Sequence, residues 1–116
     1  MTRQNMKIKT TESIKFEKPS FEGKHLITRE GGQRIQKIWR FKNGYGASVV
    51  QLKLFNGIWG SYTDNENEWE FAVLKFDKTG NYSLCYDSGI TADVIGHLTK
   101  EEVENLLKRI KENEEK

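Results

Sequence analysis

The sequence predicts an α+β domain: a mainly antiparallel, curved sheet of four to six strands with one C-terminal helix packed on one face. Three observations predict it. Residues 34–55 and 69–87 each divide into two strand-like apolar runs separated by a turn cluster. Residues 99–112 carry a helix start signal followed by apolar residues at helical spacing. The connections within the two pairs are short, and strands joined by tight turns run antiparallel. The 116 residues suffice for one domain with one modest core.

Residues 1–33 are polar and contain the only proline, Pro19. Apolar residues alternate weakly at Met6 and Ile8 and at Ile14 and Phe16. A short run from His25 to Thr28 precedes Gly31-Gly32. This part reads as a basic arm that a partner could order, or as one or two edge strands. The domain proper is expected over residues 34–116. Its first strand spans residues 34–42, with Ile35, Lys37, Trp39 and Phe41 on one face and Gln36, Ile38 and Arg40 on the other. Asn43-Gly44 then predicts a hairpin turn, because both residues tolerate positive φ. The return strand spans residues 47–55, with Val50, Leu52 and Leu54 expected inward and Gln51 and Lys53 toward solvent.

Residues 56–68 have no period. Connections of this length inside a small domain are often functional. Trp59 and Tyr62 lie in it, and its second half, residues 64–68, is acidic and expected to be solvated. Residues 69–76 follow, with Trp69, Phe71 and Val73 on one face and Ala72, Leu74 and Phe76 on the other. A strand apolar on both faces is central and covered on both sides. Residues 77–81 are a turn cluster and 82–87 the partner strand, with Tyr82, Leu84 and Tyr86 on one side and Ser83 and Cys85 on the other. Residues 90–98 read as a short helical turn or compact loop. Thr99 and Glu102 form a capping box. Val103, Leu106, Leu107 and Ile110 then make one helical face over residues 100–112.

Composition narrows the function classes. Apolar residues make up 35% of the chain, so part of it is expected outside the core. Net charge is +2 but uneven. Residues 1–42 hold 11 basic and 4 acidic residues, or +7; residues 43–116 hold 8 and 13, or −5. The asymmetry fits a basic arm that meets an anionic partner, or a solvated lysine-rich leader. One cysteine, Cys85, excludes an internal disulfide framework and a cysteine zinc cluster. No run approaches the roughly 20 apolar residues of a membrane span. The first residues have no apolar signal-peptide segment. A cytoplasmic protein is expected.

Enzyme signatures are sparse. His25 and His97 are far apart, and no ligand spacing joins them to carboxylates. Cys85 falls on an interior-looking strand, where a free thiol behaves as a small hydrophobe. Gly44-Tyr45-Gly46 is explained by the hairpin turn. Glu68, Glu70 and Asp87 flank the central hairpin and could do acid–base work as a pair, with Glu70 and Asp87 the residues an enzyme would use. The sequence predicts no catalytic residue, no metal site and no cofactor.

Aromatics at connections are the stronger lead. Tyr45, Trp59, Tyr62 and Trp69 lie in or beside loops, where exposed aromatic residues bring rigid contact area at low entropic cost. Trp59 could instead fold back as a lid on the sheet. The basic residues Arg29, Arg34, Lys37, Arg40 and Lys42, interleaved with Trp39 and Phe41, permit binding of nucleic acid or nucleotides. Alternation places Lys37 and Arg40 on opposite faces.

The ordered string Phe41-Lys42-Asn43-Gly44-Tyr45-Gly46-Ala47-Ser48-Val49-Val50, then Trp69-Glu70-Phe71-Ala72-Val73-Leu74, carries a resemblance. It continues through Tyr86-Asp87, Ile90-Thr91, Asp93-Val94-Ile95-Gly96 and Leu98-Thr99 to Glu101-Glu102-Val103. In these residues the chain resembles a group of small uncharacterised phage and prophage proteins. The resemblance spans about residues 38–110. It implies a phage-encoded protein acting in a bacterial cytoplasm, and carries over no functional residue. The expectation is a non-enzymatic accessory protein that binds and inhibits a bacterial host protein, in counter-defence, through Tyr45, Trp59, Tyr62 and Trp69. The alternative is a nucleic-acid or nucleotide-binding module that adds Lys37 and Arg40.

Overall fold

Among the described residues, seven antiparallel strands in one open sheet, with one helix laid on it, form the fold. The computed structural model describes residues 8–27, 32–53, 59–60, 63–85 and 94–113. The strands are β1 (Phe21–Ile27), β2 (Gly32–Arg40), β3 (Tyr45–Lys53), β4 (Trp59–Gly60), β5 (Trp69–Phe76), β6 (Tyr82–Leu84) and β7 (Ile95–Leu98). The helix is α1 (Lys100–Glu112). The sheet order is β1-β2-β3-β5-β6. Beyond this path, β4 pairs with one end of β3 and β7 with the start of β5. The α+β class and the C-terminal helix are as expected. The strand count exceeds four to six because the two-residue β4 and the four-residue β7 also join the sheet.

β5 is interior, paired with β3 on one side and with β6 and β7 on the other. Its two apolar faces serve two cores. Trp69, Phe71 and Val73 join Trp39, Ala47 and Val49 beneath Val103, Leu107 and Ile110 of α1. Leu74 and Phe76 meet Ile8 and Ile38 on the far face. The helix begins as its sequence dictates. The Thr99 hydroxyl accepts from the Glu102 N–H, and the Glu102 carboxylate accepts from the Thr99 N–H.

The β2–β3 turn departs from the expected form. Phe41 N–H donates to the Tyr45 carbonyl and Gly44 N–H to the Phe41 carbonyl, so the turn is a residue-rich one with a single left-handed residue, Gly44 (φ +92°). Asn43 keeps negative φ, since His97 is the one positive-φ non-glycine among the described residues. The asparagine is used for its amide. Its Nδ2 donates to the Ile110 and Asn113 carbonyls at 2.8 and 2.7 Å, while its Oδ1 accepts from Tyr45 N–H at 3.0 Å. It adds a second donor to the Ile110 carbonyl, which already accepts from Asn113 N–H, bonds the Asn113 carbonyl as well, and ties the helix end to the hairpin. Gly46 has a separate reason. A Cβ there would stand 2.0 Å from the Trp39 carbonyl oxygen and 2.7 Å from a Phe76 ring carbon.

Two further expectations are corrected. Gln51 is buried, not solvated: its Nε2 donates to the Glu66 and Glu68 carbonyls at 3.0 and 3.1 Å. The inward row of β3 on the helix side is Ala47 and Val49, which continues to Gln51 by alternation. Residues 95–98 form strand β7 rather than a helical turn or compact loop, because Leu98 and Ile95 pair with Trp69 and Phe71 along the free side of β5, while residues 90–93 lie outside the described residues.

Residues 8–20 wrap the β2 end of the sheet. Thr11 N–H donates to the Arg40 carbonyl, Thr11 Oγ1 accepts from Arg40 N–H, and Ser20 N–H donates to the Ile38 carbonyl. The segment places Ile8 in the far-face core and Phe16 in the helix-side core. Phe16 packs edge-on against Trp69 with ring centres 4.9 Å apart, and Lys100 ion-pairs with Glu17. Among the described residues no helix is long and apolar enough to cross a membrane.

Candidate functional site

The face of the sheet away from α1 divides into a packed end and an open end. The packed end is the Ile8, Ile38, Leu74 and Phe76 cluster. At the open end, register sets Gln36, Val50 and Glu70 in one cross-strand row, and Ile38, Ser48 and Ala72 in the next. Ser48 and Ala72 are small and leave a depression. Gln36 Nε2 donates to Ser48 Oγ across it at 2.9 Å. Tyr82, opposite Phe76, and Leu84, opposite Leu74, form one wall with Val94; Arg34 lies on the lining as well. The result is an open groove of about 250 Å³ with an apolar wall and two charged residues, Arg34 and Glu70.

Tyr82 and Leu84 are 40% and 50% exposed, the two exposed large hydrophobic residues among those described. An apolar side chain costs free energy in water, about 25 cal/mol per Å² of apolar area, which a partner covering it would recover. Their exposure follows from alternation in a short strand. β6 ends after three residues, and only Cys85, on the opposite side, turns into the helix-side core.

Of the residues singled out in the sequence, Arg34 and Glu70 line this groove, and the other described ones lie elsewhere. Tyr45 and Trp69 are buried in the helix-side core, Tyr45 with Lys75 Nζ 5.1 Å from its ring centre. Being next to a connection did not expose them, since both side chains start strands that α1 covers. Trp59 is half-buried in β4, opposite Lys53, whose ammonium lies 5.5 Å from the ring centre. Tyr62 and Asp87 lie outside the described residues. Lys37 is buried on the helix side. Its ammonium is 3.3 Å from the Glu22 carboxylate and 4.8 Å from the Phe16 ring centre. Arg40, on the other face as alternation requires, donates to the Ile8 carbonyl at 2.9 Å and lies over Phe76. Both cations therefore have intramolecular contacts and do not form one patch. Glu70 lines the groove.

A second cluster was not legible in the sequence. His97 Nδ1 lies 2.9 Å from Glu68 Oε1 and 3.5 Å from Asp64 Oδ2. Glu68 precedes β5, Asp64 lies in the preceding loop, and His97 is in β7. Between the Trp69–Leu98 and Phe71–Ile95 pairs β7 has one more residue than β5, a bulge. Bulges re-aim side chains, and His97 (φ +56°) is in this one. The Glu68 carboxyl is held below the usual range by His97 and by the Asp64 N–H. The His97 imidazole is raised above its ordinary value by Glu68 first and Asp64 second. A spacing of 33 residues between Asp64 and His97 has no motif to announce it; the β5–β7 pairing creates the neighbourhood.

Compared with known proteins, the chain matches no family model, no curated protein and no solved structure.

Proposed function

We propose that this protein is a non-enzymatic binding protein and that its partner is another protein, held at the groove beside β6. The observation that carries the reading is the exposed Tyr82–Leu84 pair on the groove wall, next to Arg34 and Glu70. An apolar anchor with charged groups near it is the usual composition of a protein-binding surface. The surface differs from the loop aromatics Tyr45 and Trp69, which have structural work in the core. The resemblance to phage and prophage proteins supplies the context. The partner is a bacterial host protein in the cytoplasm, and binding inhibits it, in counter-defence.

The test is capture from nuclease-treated bacterial lysate by the intact chain and by Leu84→Asp and Tyr82→Ala variants. One stoichiometric protein partner, lost with both variants while their circular dichroism is unchanged, is the expected result. Capture that both variants retain would remove the groove from the reading. Capture abolished by nuclease would move the reading to nucleic acid. Arg34 and Tyr82 on one groove, a cation and a stacking ring, are the specific observation for that alternative.

A further inference from the structure

We infer that Asp64, Glu68 and His97 form a binding site for a divalent transition-metal ion, with Zn2+ as the representative. The site shares no residue with the groove and does not depend on the binding-protein reading.

Geometry is the first argument. One donor atom from each of the three residues lies within 4.8 Å of the other two. Zinc binds imidazole nitrogen at about 2.0–2.1 Å and carboxylate oxygen at about 2.0–2.2 Å, so tetrahedral ligands stand about 3.3–3.5 Å apart. The His97 Nδ1 separations of 2.9 and 3.5 Å from its two carboxylate neighbours bracket that edge length. Little movement is needed to place an ion between the three atoms.

Hydrogen bonding accounts for the place of Glu68 but not for the approach of the Asp64 carboxylate. One ring nitrogen carries at most one proton. The proton on Nδ1 serves Glu68 at 2.9 Å, and Asp64 at 3.5 Å is beyond a good hydrogen bond. Two carboxylates are nonetheless drawn to the same nitrogen atom, where they repel each other. A dication in place of that proton would bond all three donors and neutralise both carboxylates. The imidazole gives the site its selectivity, because nitrogen donors suit zinc and its neighbours, whereas calcium and magnesium take oxygen.

The surroundings orient the ligands. Asp64 N–H donates to Glu68 Oε1 at 2.8 Å and fixes the carboxylate, as outer hydrogen bonds do for metal ligands. The β7 bulge holds His97 over it. The Asp64 and His97 side chains are 74% and 51% exposed, so water reaches the remaining coordination position. A site of three protein ligands with water in the fourth position is a known zinc geometry.

The test is calorimetric titration of the full chain, free of any added histidine tag, with Zn2+ and separately with Ca2+. One-to-one Zn2+ binding is expected, at least tenfold weaker in His97→Asn and in Glu68→Gln. Asparagine tolerates positive φ, so the first variant keeps the bulge. Co2+ in place of Zn2+ should give visible absorption that both variants lose. Absence of one-to-one Zn2+ binding overturns the inference. So does Zn2+ binding that both variants retain, or Ca2+ binding as tight as Zn2+ binding, which marks an ordinary acidic surface. Should His97→Asn fail to fold, Glu68→Gln decides alone.

Discussion

Asn43 shows how much one side chain can hold. It donates twice to the end of α1 and accepts once from its own turn. Asn43→Ala should therefore cost about 1.5–4 kcal/mol in urea unfolding, from the loss of three part-buried hydrogen bonds at about 0.5–1.5 kcal/mol each. Asn43→Asp should cost more than Asn43→Ala. It keeps the acceptor for Tyr45 but removes both donors, and it sets a negative charge at the negative end of the helix. A smaller loss for Asn43→Asp than for Asn43→Ala would show that the bond from Tyr45 N–H, not the helix-end bonds, carries the contribution of this residue. Asp77 is a second single-residue device. Its Oδ1 accepts from the Thr79 hydroxyl at 2.6 Å and from the Thr79 and Asn81 N–H groups. The Thr79 hydroxyl first, and then the backbone donors, hold its carboxyl below the ordinary aspartate value of 3.8. A folded-state value lower than the unfolded one means that the turn's contribution is complete above 3.8. It is lost as pH falls through the folded value. Carboxyl-carbon NMR should find the Asp77 midpoint below 3.8, and Asp77→Asn should remove this part of the acid sensitivity.

At the scale of elements, the segment before β1 matters as much as any strand. Phe16 stacks edge-on against Trp69, approaches Trp39, and lies under the Lys37 and Lys100 ammonium groups. Its N–H donates to the Glu104 carboxylate on α1 at 2.7 Å. One residue thus joins segment, sheet and helix. Phe16→Ala should cost about 3–5 kcal/mol, the cost of emptying a buried aromatic site. A loss below 1 kcal/mol by denaturant titration would show that the segment only rests on the domain. The sequence showed Phe16 merely as part of a weak alternation. The strands were plainer, because alternation is local. It assigned the faces of β2 and β5 correctly, Lys37 and Arg40 included. It failed for the inward row of β3, because both rows of that strand carry apolar residues, Tyr45, Ala47 and Val49 on one and Val50 and Leu52 on the other, and only the position of α1 decides between them. Helix α1 was legible to both ends, since its cap and apolar spacing lie within fourteen residues.

For the whole molecule, residues 8–20 link both sides of the sheet, with Ile8 in one core and Phe16 in the other. A chain starting at residue 21 should lose cooperative thermal unfolding or melt far below the full chain. It would give up both buried side chains and the Thr11 and Ser20 bonds to β2. An unchanged melting temperature would show that residues 21–116 stand alone. The groove beside β6 was only partly legible. The alternation of Tyr82 and Leu84 was visible, but that this face would be left open depends on α1 having covered the other one. Tyr45 and Trp69 were misjudged for the same reason. Loop adjacency is a property of sequence, whereas exposure depends on what lies above.

By itself the sequence determined the class, the two hairpins, the central place of residues 69–76 and the capped helix. These depend on periodicity and turn chemistry within a few residues. Tertiary structure alone decided the rest: burial of Lys37 and Gln51, the use of Asn43 as a helix-end partner, and the wrap of residues 8–20. It also decided the meeting of Asp64, Glu68 and His97. Each of these brings together groups far apart in sequence. No local rule encodes such contacts, because they form only once strands have paired and the helix has chosen its face.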